Sequence, residues 1–274
     1  MDFGEISQER RVRTIIVSDI HLGCRFSQAE HFLTFLKSVR PEQIYVLGDF
    51  LDGWKLKSRW HWTPVYTEII DRLFELAEGG TELYYTPGNH DEFLRIPEIQ
   101  RMLEKCQLPF RVQEEFVYET QGGQRFVMLH GDRFDIVEQN FQWVSVLMTY
   151  LYAPLLLLNS WLSRKTRRNG SRYAMCAFLK NQAKSAVRFF SHFEDKLRRY
   201  SELHHCDGII CGHIHTPGVK KSAGRTLINT GDWVENCTAL VERQNGELVL
   251  ESFFSDRVAP KYVFPAEVEP TVAV

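Results

Sequence analysis

The sequence carries no excess charge of either sign. Its 35 acidic and 33 basic side chains leave a formal net charge of −2 over 274 residues. That balance argues against a protein whose affinity rests on wrapping a polyanion in a broad basic surface. It also lacks any CxxC pair: Cys24, Cys106, Cys176, Cys206, Cys211 and Cys237 are scattered, which fits a reduced, cytosolic compartment. Met1 to Glu5 lead into Arg10-Arg11-Val12-Arg13 with no h-region behind them, so no signal peptide is expected. There is no internal repeat and no low-complexity segment.

What is present is a set of apolar runs that each break into polar residues. Ile44-Tyr45-Val46-Leu47 breaks at Gly48 and presents Asp49 and Asp52. Such a run reads as a buried strand with chemistry just past its C-terminal end. Four other stretches have the same form: Ser18-Asp19-Ile20-His21, Gly88-Asn89-His90-Asp91, His130-Gly131-Asp132 and Gly212-His213-Ile214-His215. Taken singly, each has a bland reading. Asp19 could be a turn carboxylate beside an incidental histidine, and Asp49 could cap a helix. Together they collect oxygen and imidazole ligands suited to hard or borderline divalent metals, and point to a two-metal hydrolase site with Asp49 as the bridging carboxylate.

The order of elements predicts the scaffold. Thr14 to Val17, Ile44 to Leu47 and Leu83 to Tyr85 read as strands. Between them, Ser27 should cap a helix over 29–39 that Pro41 stops, and Thr63-Pro64 should open a helix that Gly79-Gly80 ends. This βαβαβ opening implies a parallel sheet. Phe116 to Glu119 and Arg125 to Leu129 read as a hairpin through Gly122-Gly123. Strands are expected again at 208–211, 226–228, 237–241 and 248–254, the last two joined by Asn245-Gly246. Two sheets packed face to face with helices outside follow from this order, and the tail from Phe264 should be loosely held.

Between His130 and His213 the pattern changes. Phe141 to Ser163 contains no charged residue, and Arg164-Lys165-Thr166-Arg167-Arg168 closes it. A membrane span is long enough here but would put His130 and His213 on opposite sides of a bilayer, so a buried or interfacial helix is expected. Tyr173 to Tyr200 reads as a second long helix. Lys180, Lys184 and Arg188 line one of its faces, either as a solvated row or as a cationic stripe toward a diphosphate or ribose. Trp54, Trp60 and Trp62 are expected to pack rather than stack on a base. His31, His61, His192, His204 and His205 are expected to be structural or exposed.

Asp-x-His, Gly-Asp-x-x-Asp, Gly-Asn-His-Asp, His-Gly-Asp and Gly-His-x-His resemble the motifs of the calcineurin-like metallophosphoesterase superfamily. Asp52-Gly53-Trp54, Asn89 to Phe93, Phe193-Glu194-Asp195 and Gly231 to Glu235 resemble its bacterial UDP-2,3-diacylglucosamine pyrophosphohydrolase-like branch. The resemblance covers about Arg13 to Val241. It implies an α/β fold: a four-layer α/β/β/α sandwich of two mixed sheets in one domain, 1–274, with a helical lid inserted at 134–204. One metal would take Asp19, His21, Asp49 and His215; the other Asp49, Asn89, His130 and His213. His90 would stabilise the transition state or protonate the leaving group, oriented by Asp52. Mn²⁺ suits this donor set best, with Fe or Zn²⁺ also compatible.

The implied reaction is attack of a metal-bridging hydroxide on phosphorus, splitting UDP-2,3-diacylglucosamine into UMP and 2,3-diacylglucosamine 1-phosphate in lipid A biosynthesis. The implied partners are a nucleotide-sugar lipid and a membrane surface, with a cytoplasmic location peripheral on the inner face of the inner membrane. Nucleic acid is not an expected partner, because a nuclease gains nothing from the uncharged run. The best-known lipid A enzymes of this branch carry Asn-Arg-Asp where this chain has Asn89-His90-Asp91. That histidine is the form found across phosphodiesterases and phosphoprotein phosphatases, so a broader phosphodiesterase or nuclease is the alternative reading. A non-catalytic scaffold fits poorly, since all seven ligand positions are filled.

Overall fold

The structure is a computed structural model that describes residues 9–54, 61–134, 193–254 and 261–264. The chain forms two compact units, 1–131 with 200–274, and 132–199. Of the second unit, 132–134 form a 3₁₀ turn and 193–199 are helical. The uncharged run, 173–192 of the second expected lid helix with Lys180, Lys184, Arg188 and His192, Trp60 and the tail beyond Phe264 lie outside the described residues; the end of that helix, 193–200, is helical.

The first unit is built from twelve strands and three α-helices among the described residues. In chain order these are β1 (Arg10–Val17), α1 (Ala29–Ser38), β2 (Val39–Leu47), α2 (Pro64–Glu78), β3 (Glu82–Thr86), α3 (Pro97–Lys105) and β4 (Phe110–Val112). They are followed by β5 (Phe116–Glu119), β6 (Arg125–Met128), β7 (Gly208–Cys211), β8 (Gly218–Ser222), β9 (Arg225–Asn229), β10 (Thr238–Arg243), β11 (Leu248–Ser252) and β12 (Lys261–Phe264).

The strands make two mixed sheets, in the orders β12-β11-β10-β1-β2-β3-β4 and β5-β6-β7-β9-β8. β1 to β4 are mutually parallel, as are β6, β7 and β9. Side-chain alternation along β1 explains the layering. Ile15 and Val17 join α1 residues Phe32, Leu33 and Leu36 and α2 residues Ile69, Leu73 and Leu76 in one core. Ile16 faces the other way, joining Tyr45, Leu47 and Leu240 with Phe126, Met128, Ile210 and Ile228 of the second sheet. Strands buried on both faces need the near-continuous apolar runs seen here. Each buried Ile, Leu or Phe in them contributes about 1.5–3 kcal/mol.

Two local expectations need correction. Ser27 does not cap α1; its hydroxyl donates to the Ile20 carbonyl at 2.7 Å, and Gln28 occupies the cap position without a side-chain bond. Pro41 does not stop that helix, which ends at Ser38. The chain enters β2 at Val39 with Pro41 inside the strand. The proline is tolerated because β2 pairs with β3 only from Gln43 onward, so no bond toward β3 is lost there. Thr63 and Gly79 bound α2 as expected, with Pro64 as its first residue.

Candidate metal centre

All the motifs lie at the carboxyl ends of parallel strands. Asp19 and His21 follow β1, Asp49 follows β2, Asn89 and His90 follow β3, His130 follows β6, and His213 and His215 follow β7. Backbone bonds tie the loops together: Asp19 N–H donates to Gly48 O at 3.1 Å, His21 N–H to Asp49 O at 2.8 Å, and Gly212 N–H to His130 O at 3.0 Å. Asp19, His21, Asp49, His213 and His215 all have positive φ, from 51° to 71°. Residues with side chains rarely hold this left-handed conformation, and such strain gathers at functional sites.

Glycines make the close approaches possible. Gly48 has φ +78°, and a Cβ there would lie 2.5 Å from His130 Nδ1. A Cβ on Gly212 would collide with Ser18 Oγ and Asp19 Oδ2.

Asp19, Asp49, His21 and His130 are buried, at 0%, 2%, 6% and 1% exposure. Asp19 Oδ2 accepts the His213 N–H at 3.0 Å. Its Oδ1 lies 3.2 Å from His215 Nε2 and 3.9 Å from His21 Nε2. Asp49 Oδ1 accepts the His90 N–H at 2.8 Å, while Oδ2 lies 3.9 Å from His21 Nε2 and 3.4 Å from His130 Nε2. His130 Nδ1–H donates to Leu47 O at 2.8 Å, which leaves its Nε2 lone pair toward Asp49 Oδ2 and toward Asn89 Oδ1 at 3.1 Å.

These spacings test whether the residues fit a metal. Asp19 Oδ1 and His21 Nε2 are buried with no hydrogen-bond partner, a costly arrangement unless something fills the gap. Donor atoms around a cation at about 2.0–2.2 Å stand about 3–4 Å apart, as these do. Three groupings could hold an ion: Asp19, His21 and His215; Asp19, Asp49 and His130; His21, Asp49 and His90. Asp19, His21 and Asp49 each belong to two of them. His213 stacks edge-on to His130, with ring centroids 5.1 Å apart. The donor set therefore fits divalent cations.

The electrostatics agree. Burial alone would raise the carboxyls of Asp19 and Asp49; the surrounding imidazoles, His215 and His130 foremost, override it and hold both below the usual range. Burial also lowers His21, which favours the neutral, ligating ring.

His90 is held differently from the other imidazoles. Its Nδ1 lies 2.9 Å from Asp52 Oδ1, and its ring stacks on Trp54 with centroids 3.8 Å apart. The remaining nitrogen, Nε2, is left for the site. Trp54 therefore packs, but on His90 rather than beneath the loop. Of the other histidines, His31 packs on Phe253 and Phe254, His61 lies beside Tyr66, and His204 beside Tyr200 and Glu115.

Sequence reasoning left Asp91 and Asp232 out of the site. Asp91 accepts from Gly88 N–H at 2.6 Å, Phe50 N–H at 2.9 Å and the Tyr85 hydroxyl, pinning the Asp49 and Asn89 loops together. Asp232 accepts from Val234 and Glu235 N–H at 2.7 and 2.5 Å, and Asn236, bonded to it, donates to His215 O at 2.9 Å. The signal was present in Asn-His-Asp and Gly-Asp-Trp, but nothing in either motif marks a carboxylate as a loop clamp.

A two-sheet α/β sandwich with Asp and His converging at its strand ends defines a metal-dependent phosphoesterase. Residues 12–217 match the calcineurin-like phosphoesterase family, and the chain belongs to it. It is similar to proteins named UDP-2,3-diacylglucosamine hydrolase. The one from Psychromonas ingrahamii is 25% identical over 87% of this chain and 96% of its own length; that from Marinobacter nauticus is 27% identical over 86% and 96%. Among solved structures, the phosphoesterase Yfce from E. coli aligns over 92% of this chain and 99% of its own, at 14% identity and TM-score 0.48.

Proposed function

We propose that the chain is a two-metal phosphohydrolase that cleaves UDP-2,3-diacylglucosamine to UMP and 2,3-diacylglucosamine 1-phosphate. One metal takes Asp19, His21, Asp49 and His215, and the other takes Asp49, Asn89, His130 and His213, Mn²⁺ being the best match to this donor set. The observation that carries the two-metal reading is Asp49, buried with one oxygen 3.9 Å from His21 Nε2 and 3.4 Å from His130 Nε2, spacings that two donors of one cation can take. Two cations at such a site supply Lewis-acid stabilisation of the phosphoryl group and water activated near neutral pH.

The chain's own residues do the rest. His90 presents Nε2 to the leaving oxygen, and Asp52 fixes its tautomer and orientation through Nδ1. The substrate assignment is supported by relatives of that name matching over nearly their whole length. A lipid substrate also favours work at the inner face of the bacterial inner membrane. Among the described residues, no helix is long and apolar enough to cross a membrane.

His90, standing where the best-known lipid A enzymes of this branch carry arginine, supports a second reading: a phosphodiesterase or nuclease of broader specificity. Purified protein loaded with Mn²⁺ separates the two. With UDP-2,3-diacylglucosamine, phosphorus NMR should show UMP and the lipid 1-phosphate, formed much faster than products from plain nucleotide diesters. Equal or better turnover of the plain diesters would overturn the lipid assignment.

A further inference from the structure

A cavity of about 690 Å³ opens beside the metal centre. His21, His90 and His215 form its floor, and Arg25, Phe26, Trp54 and Glu235 stand in its walls. Trp54 backs the His90 ring; Arg25, Phe26 and Glu235 have no place in the metal site or the proton-transfer pair.

Arg25 and Phe26 occupy the tip of a tight turn. Ser27 N–H donates to Cys24 O at 3.2 Å across the turn, which puts Arg25 and Phe26 at its two central positions. The turn is anchored from both sides. Cys24 N–H donates to His21 O at 3.0 Å, and the Tyr66 hydroxyl donates to Cys24 O at 3.0 Å. A braced turn presenting an exposed cation and an exposed ring calls for an explanation. Arg25 forms no hydrogen bond or ion pair among the described residues, and Phe26 is 74% exposed, the second most exposed large hydrophobic residue among them. Water solvates the guanidinium well but gives no stability to the exposed ring.

We propose that this turn is a subsite for the nucleoside 5′-phosphate half of the substrate, with Arg25 on its phosphate and Phe26 against its base. The inference rests on the phosphohydrolase reading above and names the residues that choose the nucleotide side. A guanidinium matches phosphate oxygens in charge and geometry. An aromatic face takes a base by stacking, without regard to base-edge hydrogen bonds. Glu235 supplies an acceptor for ribose hydroxyls, and its charge keeps the phosphate on the Arg25 and metal side. Among the described residues, Val234 is the one aliphatic side chain in the lining, whereas aromatic and charged ones surround it.

The test is calorimetric titration of the Mn²⁺-loaded protein with UMP, inorganic phosphate and glucosamine 1-phosphate. Phosphate can use the metals and Arg25 but not Phe26. Wild type should bind UMP at least tenfold tighter than phosphate, about 1.4 kcal/mol, and glucosamine 1-phosphate should show no such advantage. Phe26→Ala should cut the UMP advantage to threefold or less, and Phe26→Trp should restore it. Arg25→Ala should weaken UMP and phosphate alike, by threefold or more. Both positions are exposed, and an unchanged circular dichroism spectrum and urea midpoint certify that each variant is folded. Equal affinity of wild type for UMP and phosphate, an advantage that survives Phe26→Ala, or phosphate affinity unmoved by Arg25→Ala overturns the subsite. A confirmed UMP advantage in a protein that leaves UDP-2,3-diacylglucosamine intact would overturn the lipid assignment and leave the subsite standing.

Discussion

Asp49 and Asp91 are both buried, at 2% and 0% exposure, and both sit on loops at the ends of the parallel strands. Asp91 is surrounded by donors: two backbone N–H groups at 2.6 and 2.9 Å, a third at 3.4 Å, and a tyrosine hydroxyl. Asp49 has one such donor, the His90 N–H, and turns its other oxygen toward two imidazole nitrogens. Their carboxyls move in opposite directions. Burial and the neighbouring Asp49 raise Asp91, whereas the imidazoles lower Asp49 against its burial. A carboxylate buried for architecture has its lone pairs filled by the protein. One buried for chemistry keeps a lone pair aimed at a place where the protein offers no donor. Glu242, buried between the sheets, is of the first kind: Tyr118, Arg13 and the Gln121 N–H all reach it.

The comparison can be broken most directly at Asp49. Asp49→Asn keeps the size and the left-handed backbone, which asparagine tolerates, but removes the bridging charge. Hydrolysis should fall below detection and bound metal should drop from two equivalents to one or none by elemental analysis. With metal chelated from both proteins, the variant should be less stable than wild type in urea at neutral pH, because the imidazoles that depress the Asp49 carboxyl make its charge favour the folded state. Two equivalents of metal with normal turnover would remove Asp49 from the bridge.

His90 separates chemistry from metal binding. His90→Ala should keep both metals and lose about 10²–10⁴-fold in rate, the range for a positioned acid or base. The loss should shrink for a p-nitrophenyl ester, whose leaving group needs no proton. Loss of metal in this variant would place His90 among the ligands instead, as one of the observed groupings permits.

Much of this arrangement was legible in the chain because strand ends carry their own signature. The apolar runs before Asp19, Asp49, Asn89 and His213 marked both the strands and the edge where these side chains meet. β4, β8 and β12 were not legible. Phe110-Arg111-Val112 is three residues long, and Gly218-Val219-Lys220-Lys221-Ser222 pairs only with β9 at the end of its sheet. An edge strand need not be apolar, so its pattern resembles a loop. α3 escaped for a related reason: none of its residues is buried. Ser27 misled because a serine before a helix offers the same letter whether it caps that helix or bonds back to Ile20. Asp91 was hidden because sequence reports a carboxylate but not the donors that surround it.

Asp91→Ala tests the architectural half of the comparison. It strands the Tyr85 hydroxyl and the N–H groups of Gly88 and Phe50, each at about 1–3 kcal/mol when buried and unpaired. Stability of the metal-free protein should therefore fall by several kcal/mol, read as a lower urea midpoint and a larger loss than that of Asp49→Asn, whose amide oxygen can still accept the His90 N–H. A midpoint within 0.5 kcal/mol of wild type, an arbitrary but about typical bound for surface substitutions, would mean that Asp91 does not clamp these loops.

The smallest effect should come from Glu251, a carboxylate of the filled kind that lies away from the metal centre. Arg10 grips it with both nitrogens at 3.1 and 2.7 Å, and Arg243 donates to it at 2.8 Å, joining β1, β10 and β11. Partial burial would raise its carboxyl, but the two guanidiniums outweigh that and hold it below the usual glutamate range. A folded-state pKa below the unfolded value of about 4.3 favours the ionised, folded form. The stabilisation is therefore fully present above that unfolded value and is lost as pH falls through the depressed folded one. Arg10 is partly exposed, so the pair should contribute no more than about 1 kcal/mol. Urea midpoints of metal-free wild type and Glu251→Gln, measured from pH 7 to pH 3, should differ at neutral pH and converge in acid, and added salt should narrow the neutral gap. A gap that is constant across the range would show that packing at this position, and not its charge, stabilises the sheet.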